Sequence, residues 1–180
     1  MLTKHYKAAK RYARALYSLA KEKGLEERTY EDMKVADRVF SSSNELRAIM
    51  ASPVIREGKK QRILRGLFEN IFHDLNMGYS LIIVRKQRAA LLPAIARAFL
   101  DVYKEAMGIE PVKVITASGM NDALREKALQ VASQLSDKKI EFSEAVKLDI
   151  IGGFILQLGD RQYDASIQTR LLNLRKQFHV

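Results

Sequence analysis

Met107-Gly108-Ile109-Glu110-Pro111-Val112-Lys113-Val114-Ile115-Thr116 is the stretch on which the organisation of this chain turns. Glycine accepts the left-handed conformation that ends a helix, and proline lacks the N–H needed to extend one. Beyond them Val112, Val114 and Thr116 alternate as the residues of a strand do. Upstream, every apolar pattern has the spacing of a helix. A boundary between residues 106 and 107 follows, with an all-α domain before it and a mixed one after it.

Outward to the N-terminus, Tyr6, Ala9, Ala13, Leu16 and Ala20 share one helical face, which Tyr12 and Leu19 widen. Lys21 and Lys23 suit a helix C-terminus, and Gly24 supplies the stop. Met33, Ala36 and Phe40 form a second helix, ended by Ser41-Ser42-Ser43-Asn44. Ser42 and Glu45 have capping-box spacing before a short helix with Leu46, Ile49 and Met50. Ser52-Pro53 reads as another helix start. From Lys59 a stripe runs through Ile63, Leu64, Leu67, Phe68, Ile71 and Phe72. Leu81-Ile82-Ile83-Val84 has strand-like composition, but Met77, Leu81 and Val84 continue a helical face. A last helix carries Leu91, Ile95, Phe99, Val102 and Tyr103. Six helical stretches with short connections predict a six-helix bundle over 1–106.

Outward to the C-terminus, Leu124, Ala128, Val131 and Leu135 predict a helix. Ile140 and Phe142, then Val146, Leu148 and Ile150, predict a strand. Phe154 to Leu158, a Gly159-Asp160 turn and a return to Asp164 predict a hairpin. Ile167, Leu171, Leu174 and Phe178 close the chain as a helix with Ser166 as its cap. The predicted order over 107–180 is β-α-β-β-β-α, a small α/β domain.

The totals bound the function. The 180 residues are 47% apolar and 29% charged, as in a folded globular protein. With no cysteine there is neither a disulfide framework nor a thiolate zinc site. Leu81–Val84 and Ala89–Ala96 fall far short of the ~20 apolar residues of a membrane span. Net charge is +10, and residues 1–105 hold 21 of the 31 basic residues against 12 of the 21 acidic ones. Such charge favours acidic partners without choosing among protein, nucleic acid and lipid. The basic, acid-free start through Lys21 has the composition of a transit peptide, yet it is poor in serine and reads as a structural helix.

Motifs for chemistry are missing. His5, His73 and His179 are scattered. Residues 53–60 contain Gly58-Lys59 but lack the first glycine and the hydroxyl of a phosphate-binding loop. Gly152, Gly153 and Gly159 do not form G-x-G-x-x-G, and no G-x-S-x-G elbow occurs. Asp160 and Asp164, four residues apart across a hairpin, read as turn and strand-end residues rather than an acid–base pair. The basic groups at Arg56-Lys59-Lys60-Arg62-Arg65 and Arg85-Lys86-Arg88 lack the interleaved aromatics of a base-stacking surface. No catalytic residue, cofactor or metal is expected, and no nucleic acid.

Two stretches carry a resemblance: Arg11-Tyr12-Ala13-Arg14-Ala15-Leu16-Tyr17-Ser18-Leu19-Ala20, and Ile151-Gly152-Gly153-Phe154-Ile155-Leu156-Gln157-Leu158-Gly159-Asp160 with Tyr163-Asp164-Ala165-Ser166-Ile167 and Leu171. With Ser52-Pro53 and the helix before Gly108-Ile109, the chain resembles the delta-subunit family of bacterial F-type ATP synthase, relatives of the mitochondrial oligomycin-sensitivity-conferring subunit. Lys147 departs from it, standing where that family often has Asp.

The resemblance implies a non-catalytic stator subunit on the cytoplasmic face of the bacterial plasma membrane, associated with the membrane only through the complex. It implies that the helical domain takes up the N-terminal helix of the head alpha subunit between its first and fifth helices. It also implies that the C-terminal domain meets the C-terminal helices of the stalk b subunits. The groove residues expected on that basis are Ala9, Tyr12, Ala13 and Leu16 on one wall, and Met77, Leu81 and Val84 on the other. Arg85 and Arg88 are expected at the rim. Gly152, Gly153, Gly159, Asp160, Asp164 and Leu171 are expected on the stalk side. Two other readings remain: a basic helical nucleic-acid-binding or regulatory protein, and a peripheral membrane protein held by its first helix.

Overall fold

The structure, a computed structural model, describes residues 2–119, 121–135, 139–158 and 161–178. Its chain separates into two compact units, Met1–Tyr103 and Lys104–Val180.

The first unit is helical: α1 (Leu2–Glu22), α2 (Glu26–Ser42), α3 (Asn44–Ala51), α4 (Glu57–Phe68), α5 (Asp74–Arg85) and α6 (Leu92–Ala106), the last preceded by a 3-10 turn at Ala89–Leu91. Gly24 ends α1 at φ 63, with Leu25 N donating to Ala20 O and Gly24 N to Lys21 O, the paired bonds of a left-handed helix stop. Leu81 to Val84 is helical, as the face through Met77 requires.

Local chemistry differs from the predicted boundaries at two points. Ser42 is the last residue of α2, its hydroxyl donating to Val39 O, and Ser43 caps α3 by accepting from Leu46 N at 3.1 Å. Ser52-Pro53 does not start a helix; α4 begins at Glu57. Instead the segment closes α3, because the Lys60 ammonium donates to Met50 O (2.9 Å) and Ser52 O (2.7 Å). Lys60 is almost fully buried, and those carbonyls sit at the negative end of α3, which compensates its charge.

The core of this unit gathers Leu16, Phe40, Met50, Leu64, Phe68, Ile95 and Phe99, with the Phe68 and Phe72 rings stacked at 4.4 Å. One polar knot crosses it. The Asp32 carboxylate on α2 accepts from His73 N (2.7 Å) and Asn76 Nδ2 (2.6 Å), and pairs with Arg28 at 3.2 Å. His73 Nδ1 in turn accepts from Leu75 N, capping α5. The knot therefore positions the start of α5 against α2. A buried carboxylate is tolerated there because each contact supplies a donor.

The second unit has β1 (Ile109–Thr116), α7 (Asp122–Leu135), β2 (Lys139–Val146), β3 (Phe154–Leu158), β4 (Arg161–Asp164) and α8 (Ile167–Phe178). The sheet order is β2-β1-β3-β4. β1 runs parallel to β2, which requires the α7 crossover, and antiparallel to β3, which pairs antiparallel with β4. Pro111 fits a central strand because β3 pairs only from Val112 onward, in register with Leu158. Val112, Val114, Phe154, Leu156 and Leu158 pack with Ala128 and Ala132 of α7. The predicted second strand is cut short: Leu148–Ile150 is a 3-10 turn, and Ile150 is buried in it.

Candidate protein-docking surfaces

On α1, the residues expected to form a groove wall face inward. Ala9, Ala13 and Leu16 are fully buried in the unit's own core. Met77, Leu81 and Val84 of α5 belong to the same core, so all six residues are buried against the unit's own helices. Tyr12 is half-buried, and Arg85 and Arg88 are exposed.

The accessible surface lies one position around each helix. On α1, Ala8 (half-buried), Tyr12, Ala15 and Leu19 follow one another at spacings of four, three and four residues, and Ala15 and Leu19 are exposed. On α5, Gly78, Ile82 and Arg85 are exposed at i, i+4 and i+7, and Ile82 keeps 50% of its surface open. The two helices are joined at this level. The Tyr79 hydroxyl donates to Tyr12 O at 2.9 Å, and the Arg88 guanidinium lies 5.5 Å from the Tyr12 ring centroid. Burial pushes the Tyr79 hydroxyl's pKa far up, so it stays a donor across the physiological range.

The accessible face of these two helices, the α1–α5 seat, thus combines small residues (Ala8, Ala15, Gly78), apolar ones (Leu19, Ile82, Tyr12) and the cations Arg85 and Arg88. Nothing stands within 4 Å of where a Cβ on Gly78 would point, so another backbone can approach closely. Such a surface suits an amphipathic helix laid along it. A sequence signal for it exists in α5: Leu81-Ile82-Ile83-Val84 is apolar all the way round, and a helix of that kind has two faces to cover.

The second unit also has an open apolar surface. Ile151 is 65% exposed and is held at φ 63, a conformation rare for a β-branched residue. Two residues on, Gly153 has φ 78, and a Cβ there would stand 2.4 Å from Ala165 O. A Cβ on Gly152 would meet only the Ile167 side chain, at 2.7 Å. This close turn lets Ile167 N donate to Gly152 O and fixes the start of α8.

Asp164 completes that start, accepting from Ser166 N and from the Thr169 hydroxyl, both at 2.8 Å. Hydrogen bonds from Ser166, aided by Thr169, hold its carboxyl below the usual range against a smaller desolvation effect. Its bonds are local and it is a positioning group for the helix. Leu171 is 52% exposed on α8. Gly159 and Asp160 lie outside the described residues.

Among the described residues no group of His, Cys, Asp and Glu is placed to hold a metal, and no helix is long and apolar enough to cross a membrane. The void lined by Met33, Phe68, Tyr79 and Ser80 is about 20 Å³, room for one water.

Known proteins share this architecture. The model of the ATP synthase delta (OSCP) subunit family matches residues 8–178. The ATP synthase subunit delta of Flavobacterium johnsoniae is 36% identical over 171 residues, covering 95% of this chain and 96% of that protein. That of Cytophaga hutchinsonii is 33% identical, covering 97% and 96%. In fold, the chain matches one in the cryo-EM structure of the Toxoplasma gondii mitochondrial ATP synthase hexamer, with a TM-score of 0.70, 24% identity and coverage of 96% and 97%. The helical first unit, the mixed sheet that follows it in the sequence and a family match running through both place this chain in the ATP synthase delta (OSCP) subunit family.

Proposed function

We propose that the protein is a non-catalytic stator subunit of F-type ATP synthase, linking the catalytic head to the peripheral stalk so that the head does not turn with the rotor. In this reading residues 1–106 are a six-helix head-binding domain and residues 107–180 a stalk-binding domain. The N-terminal helix of the head alpha subunit lies on the α1–α5 seat, and the C-terminal helices of the b subunits meet the second domain. The protein sits peripherally, on the cytoplasmic face of the bacterial plasma membrane, and needs no cofactor.

The observation that carries the reading is the open α1–α5 seat, with Ile82 half-exposed one turn from Gly78 on α5 and Ala15 exposed on α1. A soluble helix leaves such a row uncovered when a partner is to cover it. The cationic rim at Arg85 and Arg88 also suits a partner with acidic flanks. A stator must outlast many turnovers of typically ~0.1 s. With association at about 10⁶ M⁻¹s⁻¹, a dissociation constant near ~1 nM gives release about once in 10³ s.

Titration calorimetry of the full chain with a synthetic peptide, the N-terminal segment of the head alpha subunit, tests this. Nanomolar binding that changes little with salt is expected, since the contact is mainly apolar. Absence of binding refutes the head-docking role. Steep weakening with salt would favour a phosphate-binding protein instead.

A further inference from the structure

Among the described residues, helix α8 is anchored at its start. Its start is tied down by the Gly152 carbonyl and by the Asp164–Ser166–Thr169 cap. Further along, among the described residues, none of its side chains belongs to the core of either unit. Ile167, Leu171 and Leu174 are 43%, 52% and 48% exposed. Their spacing is four and then three, and Phe178 continues it by four in the sequence. That is the repeat of a coiled-coil seam, in which apolar residues at two positions per heptad face another helix. Leu172 widens one flank.

Charge decides what kind of helix fits. With Ile167 and Leu174 at the d positions and Leu171 at an a position, Arg170 falls at g and Arg175 at e, the places that flank such a seam. Both are exposed, and among the described residues neither has an ion-pair partner. In a parallel pair of two copies of α8, g would face e of the partner copy. In an antiparallel pair g would face g, and e would face e. Arginine meets arginine in each arrangement, so a second copy is disfavoured. We infer that α8 is a half-built coiled-coil seam, completed by an amphipathic helix that presents acidic residues beside its own apolar stripe.

The inference rests on the stalk-linking reading and deepens it by assigning the contact to α8 and its selection to Arg170 and Arg175. The probes are two designed three-heptad peptides with leucine at a and d, one with glutamate at e and g and the other with lysine. Each is titrated against the full chain and against the double variant Arg170→Glu/Arg175→Glu. The wild type should prefer the glutamate peptide by about tenfold, the sum of several exposed pairs changing sign. The double variant should prefer the lysine peptide, and Leu171→Ser should weaken both. Equal binding of the two peptides to the wild type would overturn the inference, as would an unchanged preference in the double variant. So would a wild-type dimer in sedimentation that Leu171→Ser abolishes.

A parallel titration uses peptides of the C-terminal helices of the b subunits. If they bind the double variant as well as the wild type, the α8 assignment fails and the stalk-linking reading stands. If they do not bind the wild type at all, both fail. The second unit's unfolding transition, followed by circular dichroism, reports that each variant is folded, and head-peptide affinity, which reads the first unit, should be the same in every variant.

Discussion

Ile82 and Leu81 are neighbours on one helix, and their substitutions should separate binding from folding. Ile82 keeps 50% of its surface open, whereas Leu81 keeps 7%. Full burial of an isoleucine side chain is worth roughly 1.5–3 kcal/mol. The open half of Ile82 therefore has about 1 kcal/mol left to contribute when a partner helix covers it. Ile82→Ala should remove most of that and weaken the head peptide by roughly fivefold. Ile82→Asn adds the cost of burying an amide without a partner, about 1–3 kcal/mol. The total, about 2–4 kcal/mol, corresponds to weakening by roughly 30-fold to several hundredfold.

Neither change at this exposed site should move the stability of the helical unit by more than about 0.5 kcal/mol. Leu81→Ala should do the opposite. It leaves a cavity costing roughly 2–5 kcal/mol of stability, which in a unit of this size lowers Tm by about 4–8 °C per kcal/mol, while the remaining folded protein binds nearly normally. The assays are titration calorimetry with the head peptide and thermal unfolding by circular dichroism. Ile82→Asn protein that is folded and binds within twofold of wild type would refute the α1–α5 seat. Leu81→Ala losing affinity without losing stability would show the inner row to be the contact after all.

Residues 1–106 expressed alone should melt cooperatively and bind the head peptide as the full chain does, because their core is self-contained; an unfolded or inert fragment would contradict this. Gly153→Val should destabilise the second unit by several kcal/mol, since strain at positive φ costs about 1–3 kcal/mol before the clash with Ala165 O is counted. Gly152→Ala should be much milder, because the Ile167 side chain can move, and equal losses in the unit's unfolding transition would refute the distinction. The lowered carboxyl pKa of Asp164 means that its stabilisation of α8 is fully present above the ordinary carboxylate range and is lost as pH falls through its lower, folded value. Helicity of the wild type should therefore fall on acidification below about pH 4, and Asp164→Asn, which titrates nowhere, should flatten that part of the profile.

Periodicity in the sequence alone determined where helices stop and the sheet begins. The 3.6-residue repeat through Tyr103 and the alternation from Val112 are properties of single segments, and Gly108 with Pro111 marks the change between them. Absence of catalytic spacing was legible for the same reason, since the motifs sought are local. The two quoted stretches, Arg11–Ala20 and Ile151–Asp160, carried the family resemblance.

Which side of an apolar helix meets its own core was decided only by tertiary packing. Ala9 and Ala15 are alike as residues, and α1 buries one and leaves the other exposed. A stripe records that a face avoids water, not what covers it. The same holds for Lys60, which reads as one more surface base until it is seen closing the carbonyl end of α3 from ten residues beyond Met50. In α8 the apolar spacing of a helix was visible, but only the assembled second unit shows that α7 packs on the sheet and that α8's described side chains lie outside that core. Burial and pairing depend on where separate segments come to rest, and no single segment's pattern contains that information.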